Sequence, residues 1–455
     1  MENLNHLTNY FHSGRTLLLS HRLECLDQFQ KMLDQNKSEM IAALKADFNK
    51  PDFETVVTEI AMLQKELNFF KKNIKKLYKP KRVLSSLLNF PSKEFVAYHP
   101  YGVVLVIAPW NYPLLLALQP MLAALVTGNC VVLKPSELTP NTSKLLVTMV
   151  SKYFSHQYVQ VIEGGVAETQ QLLDYKFQKI FFTGSTKVGK IVYEAAAKNL
   201  TPVVLELGGK SPCIITKSAN IKLAAKRIAF GKFVNAGQTC IAPDFIFIDE
   251  AVEKDFVNEF TLVIKEFYGD IPEQSNSFAR IVNDKNYQRL KSYILNSDVL
   301  IGGETNSKTN YISPTVLKVQ NFDDEVMQDE IFGPILPIIN FRSINDIIKH
   351  NQESGKPLAF YVFGEDEKQI NELLDNCQYG GACVNDCLSH IINHRVPFGG
   401  IDQSGIGNYH GKYSYETFSH TKSLVHRKTW YDNAIKYPPY SVKKLNLLAK
   451  ILKYL

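Results

Sequence analysis

The sequence predicts an α/β protein with two lobes, each built on a parallel sheet. Three observations carry that prediction. The first 80 residues are patterned as helices. From about residue 101, short runs of apolar, β-branched residues alternate with helical stretches. A second such alternation begins after residue 207. Strands that read as continuous apolar runs between helices belong to a sheet covered on both faces. At 455 residues and 45% hydrophobic content the chain is too long for one simple core and rich enough to fill two or three.

In the helical region Leu17, Leu18, Leu19, Leu23, Leu26 and Phe29 recur at helical spacing, and Ile60, Leu63, Leu67 and Phe70 repeat the signal. Strands follow at Val103–Ala108, Cys130–Leu133, Val159–Ile162 and Ile180–Phe182, with helices around 115–126, 142–154 and 187–198. In the second region, Cys213–Ile215 and Phe245–Ile248 read as strands, with helices near 221–234 and 251–267. A Gly302–Gly303 turn precedes a further alternation from Ile335 to Val384.

Charge and cysteine content narrow the function classes. A net charge of +6 over this surface is too dilute to indicate a nucleic-acid partner. Two basic stretches stand out, KKNIKKLYKPKR at 71–82 and the tail from Arg427. Seven irregularly spaced cysteines and no basic-then-apolar leader pattern point to reduced thiols in the cytoplasm. No apolar run reaches the roughly 20 residues of a membrane-spanning helix. Cys377, Cys383, Cys387, His390 and His394 cluster, but their spacing is not that of a zinc finger or ribbon, and no metal is expected.

Three motifs carry chemistry. In Lys179–Lys190, KIFFTGSTKVGK, an apolar strand runs into a Gly184 turn and a helix start. Free N–H groups and the positive helix end suit a phosphate there, although an ordinary β–α turn explains the pattern equally. In LELGGKSP, Glu206 lies between leucines before a Gly-Gly turn. Apolar surroundings would raise its pKa into the range of a general base; a structural ion pair is the competing explanation. In FVNAGQTCIAPD, Cys240 follows a helix and a glycine turn, where a thiol could serve as nucleophile or sit inert. For the other six cysteines the inert reading is preferred.

Together these motifs resemble the aldehyde dehydrogenase superfamily. PWNYP (Pro109–Pro113), KPSE (Lys134–Glu137), FTGSTKVG (Phe182–Gly189), EIFGP (Glu330–Pro334) and PFGG (Pro397–Gly400) match in the family order over residues from about 100 to 420. The short N-terminal region, the QTCIAPD form and YHGKYSYETFSH resemble the class-three, fatty aldehyde dehydrogenase-like branch, including bacterial enzymes for long apolar or carotenoid-like aldehydes. Ile406 and Asn408 depart from residues frequent in relatives.

The resemblance implies roles residue by residue. Cys240 would attack the aldehyde, Asn111 and the Cys240 N–H would hold the oxyanion, and Glu206 would activate the hydrolytic water. Lys134 and Glu137 would meet the adenosine ribose of NAD. Gly184, Ser185 and Gly189 would lie beside the pyrophosphate. Glu330 would hold the nicotinamide ribose and Phe332 would pack near the ring. Glu137 disfavours a ribose 2′-phosphate, yet class-three relatives often accept both cofactors, which leaves NADP open. The implied fold is a Rossmann-like cofactor domain (1–82 and 101–206), an α/β catalytic domain (207–395) and a small bridging, oligomerisation element (83–100 and 396–430), with a basic amphipathic tail at 431–455. Relatives use the bridging element to extend a partner's sheet, so a homodimer is expected.

Two other functions compete. An acylating, CoA-dependent dehydrogenase needs no water-activating base, which the intact LELGGKSP argues against. A non-catalytic binding protein would not need Asn111, Glu206 and Cys240 together. In the tail, Lys443–Leu455 projects Leu445, Leu448, Ile451, Leu452 and Leu455 onto one helical face, with Asn446, Lys450 and Lys453 opposite. Such a helix can lie on an anionic membrane surface, at the inner face of the membrane, or dock on protein.

Overall fold

The computed structural model describes residues 4–295 and 297–453; Leu455 of the projected tail face lies outside them. By compactness the chain divides into a larger unit, 1–78 with 100–420, and a smaller one, 79–99 with 421–455. Residues 396–420 fall in the larger unit, and the tail falls with residues 79–99 in the smaller one.

Within the larger unit, a six-stranded sheet has the order Gly405–Ile406, Val203–Glu206, Lys179–Thr183, Val103–Ile107, Cys130–Lys134, Val159–Val161. All pairs are parallel except the first. Val103–Ile107 is fully buried, as its uninterrupted apolar run requires. The chain leaves this central strand in one direction and returns on its other side. That reversal opens a crevice beyond the carboxyl ends of Val103–Ile107 and Lys179–Thr183, the place where doubly wound sheets bind ligands.

A seven-stranded sheet carries the second lobe, in the order Asp298–Ile301, Thr315–Lys318, Ile335–Phe341, Phe245–Asp249, Pro212–Ile215, Ala359–Phe363, Gly381–Val384. Only the Asp298–Ile301 edge is antiparallel. The N-terminal helices pack against the first sheet's helix Leu115–Thr127, which is buried along its whole length. One helical expectation fails locally. Leu18 is extended and exposed between a 3₁₀ turn and the helix Leu19–Gln35, so the triple leucine is a boundary rather than a helix interior.

In the smaller unit, Lys81–Val83 pairs antiparallel with Ser92–Pro100, and Ser419–Arg427 completes a three-stranded sheet. The helix Val442–Leu452 ends the described chain. No described helix is long and apolar enough to cross a membrane.

Candidate active site

Glu206 ends a buried strand, in register with Thr183, and its carbonyl accepts the Gly184 N–H at 3.0 Å. The base candidate and the glycine turn therefore share one sheet edge. The Glu206 carboxyl is 2% exposed and neither oxygen has a hydrogen-bond partner among the described residues. Burial pushes its pKa well above the usual carboxylate range. A buried carboxyl with no local ion pair or donor is costly. The expected competitor, a structural ion pair, is not what the geometry shows.

Cys240 lies in the loop between the helix Ile221–Phe233 and the strand Phe245–Asp249. It is the one partly exposed cysteine; the other six are buried. Burial chiefly, with the charges of Glu330 and Glu206 added, pushes its thiol well up. The resting sulfur is therefore protonated, and a base must take its proton before attack.

The loop is held by an unusual backbone. Asn235 and Ala236 adopt left-handed conformations, φ 56° and 52°. Such strain persists only when surroundings enforce it. Asn235 Nδ2 donates to the Asn111 carbonyl at 2.9 Å, and Asn111 Nδ2 donates to the Gln238 carbonyl at 3.0 Å. Gln238 donates through Nε2 to the Asn235 and Arg280 carbonyls and accepts the Val282 N–H. Asn111 is thus fixed against the cysteine loop, two residues from Cys240. Its amide carries two N–H donors, and only one is engaged among the described residues.

The cofactor candidates line the crevice edge. Gly184 has no room for a side chain: a Cβ would meet the Phe182 ring at 2.6 Å. Ser185 caps the helix Thr186–Ala197, its hydroxyl accepting the Val188 N–H at 3.4 Å. Gly189 lets that helix approach Leu207, whose Cδ2 would lie 2.6 Å from a Cβ. Lys134 is buried at its strand end, with Nζ donating to Pro135 at 2.8 Å and 3.8 Å from Glu137. Two of its three N–H donors stay available to a ligand, and burial lowers its pKa. Glu137 is half exposed.

Glu330 lies on the Gly208–Gly209 turn and accepts the Gly209 N–H. Burial first, then Asp244, pushes its carboxyl up to about 8. Phe332 has a left-handed backbone, φ 51°, and meets Trp110 edge-on at 5.3 Å between centroids. A glycine-bounded helix start and a lysine with spare donors fit a dinucleotide placed across this crevice. Elsewhere, Cys383 Sγ lies 3.2 Å from His390 Nδ1, and no described group of three or more His, Cys, Asp or Glu could hold a metal. Ile406 and Asn408 are exposed.

Sequence reasoning missed the frame: Asn235, Gln238, the half-buried Glu54 and the buried Glu59 on the helical segment that starts at Asp52. For Glu59 a signal existed, since it stands on the same helical stripe as Leu63 and Phe70.

Comparison with known proteins supplies the context. A profile described as "Aldehyde dehydrogenase family" matches residues 6–424. The chain is 43% identical over 437 residues to 4,4'-diaponeurosporen-aldehyde dehydrogenase of Staphylococcus aureus, covering 95% of each chain. It is 41% identical to aldehyde dehydrogenase family 3 member B1 of Homo sapiens, covering 98% of this chain and 96% of that one. A solved structure described as the substrate-bound state of Staphylococcus aureus AldH superposes with a TM-score of 0.97 at 41% identity, over 99% of this chain and 100% of that one. An indole-3-acetaldehyde dehydrogenase complexed with NAD+ superposes at 0.84 and 25% identity, over 93% and 88%.

Proposed function

The chain belongs to the aldehyde dehydrogenase family, in its class-three-like branch, and from that premise we propose how its residues share the work. It is an oxidoreductase acting on aldehydes. The observation that carries the residue-level reading is the buried Glu206 carboxyl with no hydrogen-bond partner among the described residues, together with Cys240 as the one cysteine that is not buried.

Cys240 Sγ attacks the aldehyde carbon once its proton has passed to solvent water, which leaves Glu206 free for the later hydrolytic step. The free N–H of Asn111 and the Cys240 backbone N–H receive the developing oxyanion; such preorganised donors are worth about 3–4 kcal/mol each. Lys134 and Glu137 would hold the adenosine ribose, the Gly184–Ser185 turn and Gly189 would receive the pyrophosphate, and Glu330 and Phe332 would place the nicotinamide. NAD supplies the hydride acceptor when bound. Covalent capture makes the aldehyde a tetrahedral thiohemiacetal, from which hydride departs more readily than from a carbonyl. Glu206 then takes a proton from water, which cleaves the thioester. NAD is the first choice of cofactor on the carboxylate of Glu137, and NADP is the alternative.

The substrate class is apolar: a fatty, aromatic or carotenoid-like aldehyde. The similarity to 4,4'-diaponeurosporen-aldehyde dehydrogenase supports this. The edge strands of the small sheet support a homodimer, since pairing removes an exposed edge. The tail supports peripheral contact with an anionic membrane: Val442, Leu445 and Leu452 are more than half exposed beside Lys443, Lys450 and Lys453, with no acid between them. A kinetic panel of short, long-chain, aromatic and polyene aldehydes with NAD and NADP tests the reading. The expected result is the highest kcat/KM for a long apolar aldehyde with NAD. A preference for short polar aldehydes would remove the substrate class, and strict dependence on CoA would replace the hydrolytic mechanism by acyl transfer.

A further inference from the structure

The helix that starts at Asp52 carries two acids that the reaction does not use, the half-buried Glu54 and the fully buried Glu59. A π-helical stretch, Val56–Ile60, interrupts it. Such stretches are rare and cluster at functional sites. Here the stretch separates Glu54 from Glu59 by five residues, and each reaches a different piece of the active-site frame.

Glu59 is fully buried and paired with Lys50, also fully buried, at 2.5 Å. Its other oxygen accepts the backbone N–H groups of Leu114 at 2.9 Å and Leu115 at 3.1 Å. These amides open the helix Leu115–Thr127 and lie three and four residues beyond Asn111. Lys50 Nζ sits 4.0 Å from the centre of the Tyr112 ring. The Tyr112 hydroxyl shares a 2.6 Å hydrogen bond with Thr239, the neighbour of Cys240. Glu54 accepts the Asn235 N–H at 2.9 Å, and Asn235 holds the Asn111 carbonyl. The ion pair therefore grips the segment bearing Asn111 from behind, and its lysine packs on the tyrosine that meets the cysteine loop.

A buried ion pair is weak evidence for stability, because an apolar pair of similar volume is often as good. What it supplies is geometry: a carboxylate accepting three donors at once fixes a helix start more tightly than a neutral group can. We propose that Glu59, with Lys50 as counter-ion, is a positioning residue for the oxyanion site and sets the Asn111 amide against Cys240. It touches neither substrate nor cofactor and acts through Asn111. The inference rests on the oxyanion role proposed for Asn111.

The test is a double-mutant cycle of Glu59→Gln with Asn111→Ala, read by kcat, aldehyde KM, thermal melting and the rate of Cys240 alkylation by iodoacetamide. Glu59→Gln alone should lower kcat by about 10- to 100-fold, the range for a misplacement near 1 Å. Aldehyde KM and alkylation should stay within about twofold of the parent. In the Asn111→Ala background the same change should add less than about twofold, because its target is gone. An equal loss in both backgrounds overturns the part given to Glu59. A parental kcat in Asn111→Ala alone overturns the oxyanion assignment beneath it. Should Glu59→Gln not fold, Lys50→Met with Glu59→Leu removes both charges and enters the same cycle with the same expected outcomes.

Discussion

Replacing Gly208 by alanine tests the cofactor reading without touching any proposed chemical group. A Cβ on Gly208 would lie 2.2 Å from Glu330 Oε2 and 2.7 Å from its carboxyl carbon. Gly208 is not among the residues with positive φ, so alanine adds no backbone strain and the effect is steric alone. Restoring a contact beyond 3.0 Å requires the carboxyl to retreat by about 1 Å, which can cost on the order of 10²-fold when the group positions a reactant. Gly208→Ala should therefore lower kcat/KM for NAD by about 10- to 100-fold. Alkylation of Cys240 and the melting temperature should change little. The assay is initial NADH formation against NAD concentration, with iodoacetamide titration counting competent thiols. Parental kcat/KM for NAD in this variant would refute the assignment of Glu330 to the nicotinamide side.

Four further outcomes are expected. Turnover should rise with pH through a range above the ordinary carboxylate value near ~4.3, because raised Glu206 must lose its proton to serve as base; a flat profile would count against it. The same shift acts on stability in the opposite sense: above the unfolded pKa the folded state retains a proton that the unfolded chain has lost, so stability should fall as pH rises. Glu206→Gln should flatten that slope in denaturant titrations across pH. Cys240→Ala should abolish NADH formation while leaving NAD binding by fluorescence intact, and loss of both would indicate a folding defect instead. A protein ending near Pro439 should float less with anionic liposomes than the full chain, and equal flotation would remove the tail from the membrane argument.

Much of this was legible in the sequence, for identifiable reasons. A parallel strand buried on both faces must be apolar throughout, so Val103–Ile107 and Lys179–Thr183 announced themselves within a residue or so. Glu206 and Cys240 were visible because a carboxylate between leucines and a thiol beside a glycine turn are locally odd. Legibility ended where long-range contacts decide the outcome. Nothing in FVNAGQTC indicates that Asn235 and Ala236 turn left-handed, because Asn111 and Glu54 enforce that from 124 and 181 residues away. The leucine run at 17–19 misled because periodicity does not mark where one helix stops: Leu18 is exposed at the junction. The division between the two units is likewise a property of contacts rather than of local pattern.

The central claim is that Cys240 captures the aldehyde and Glu206 releases the product by water. Its most direct measurement is the intact mass of Glu206→Gln protein after mixing with NAD and an apolar aldehyde, alongside the NADH formed. The account predicts one NADH per competent thiol, an acyl group retained on Cys240, and no further turnover. Sustained turnover at the parental rate without an adduct would contradict it.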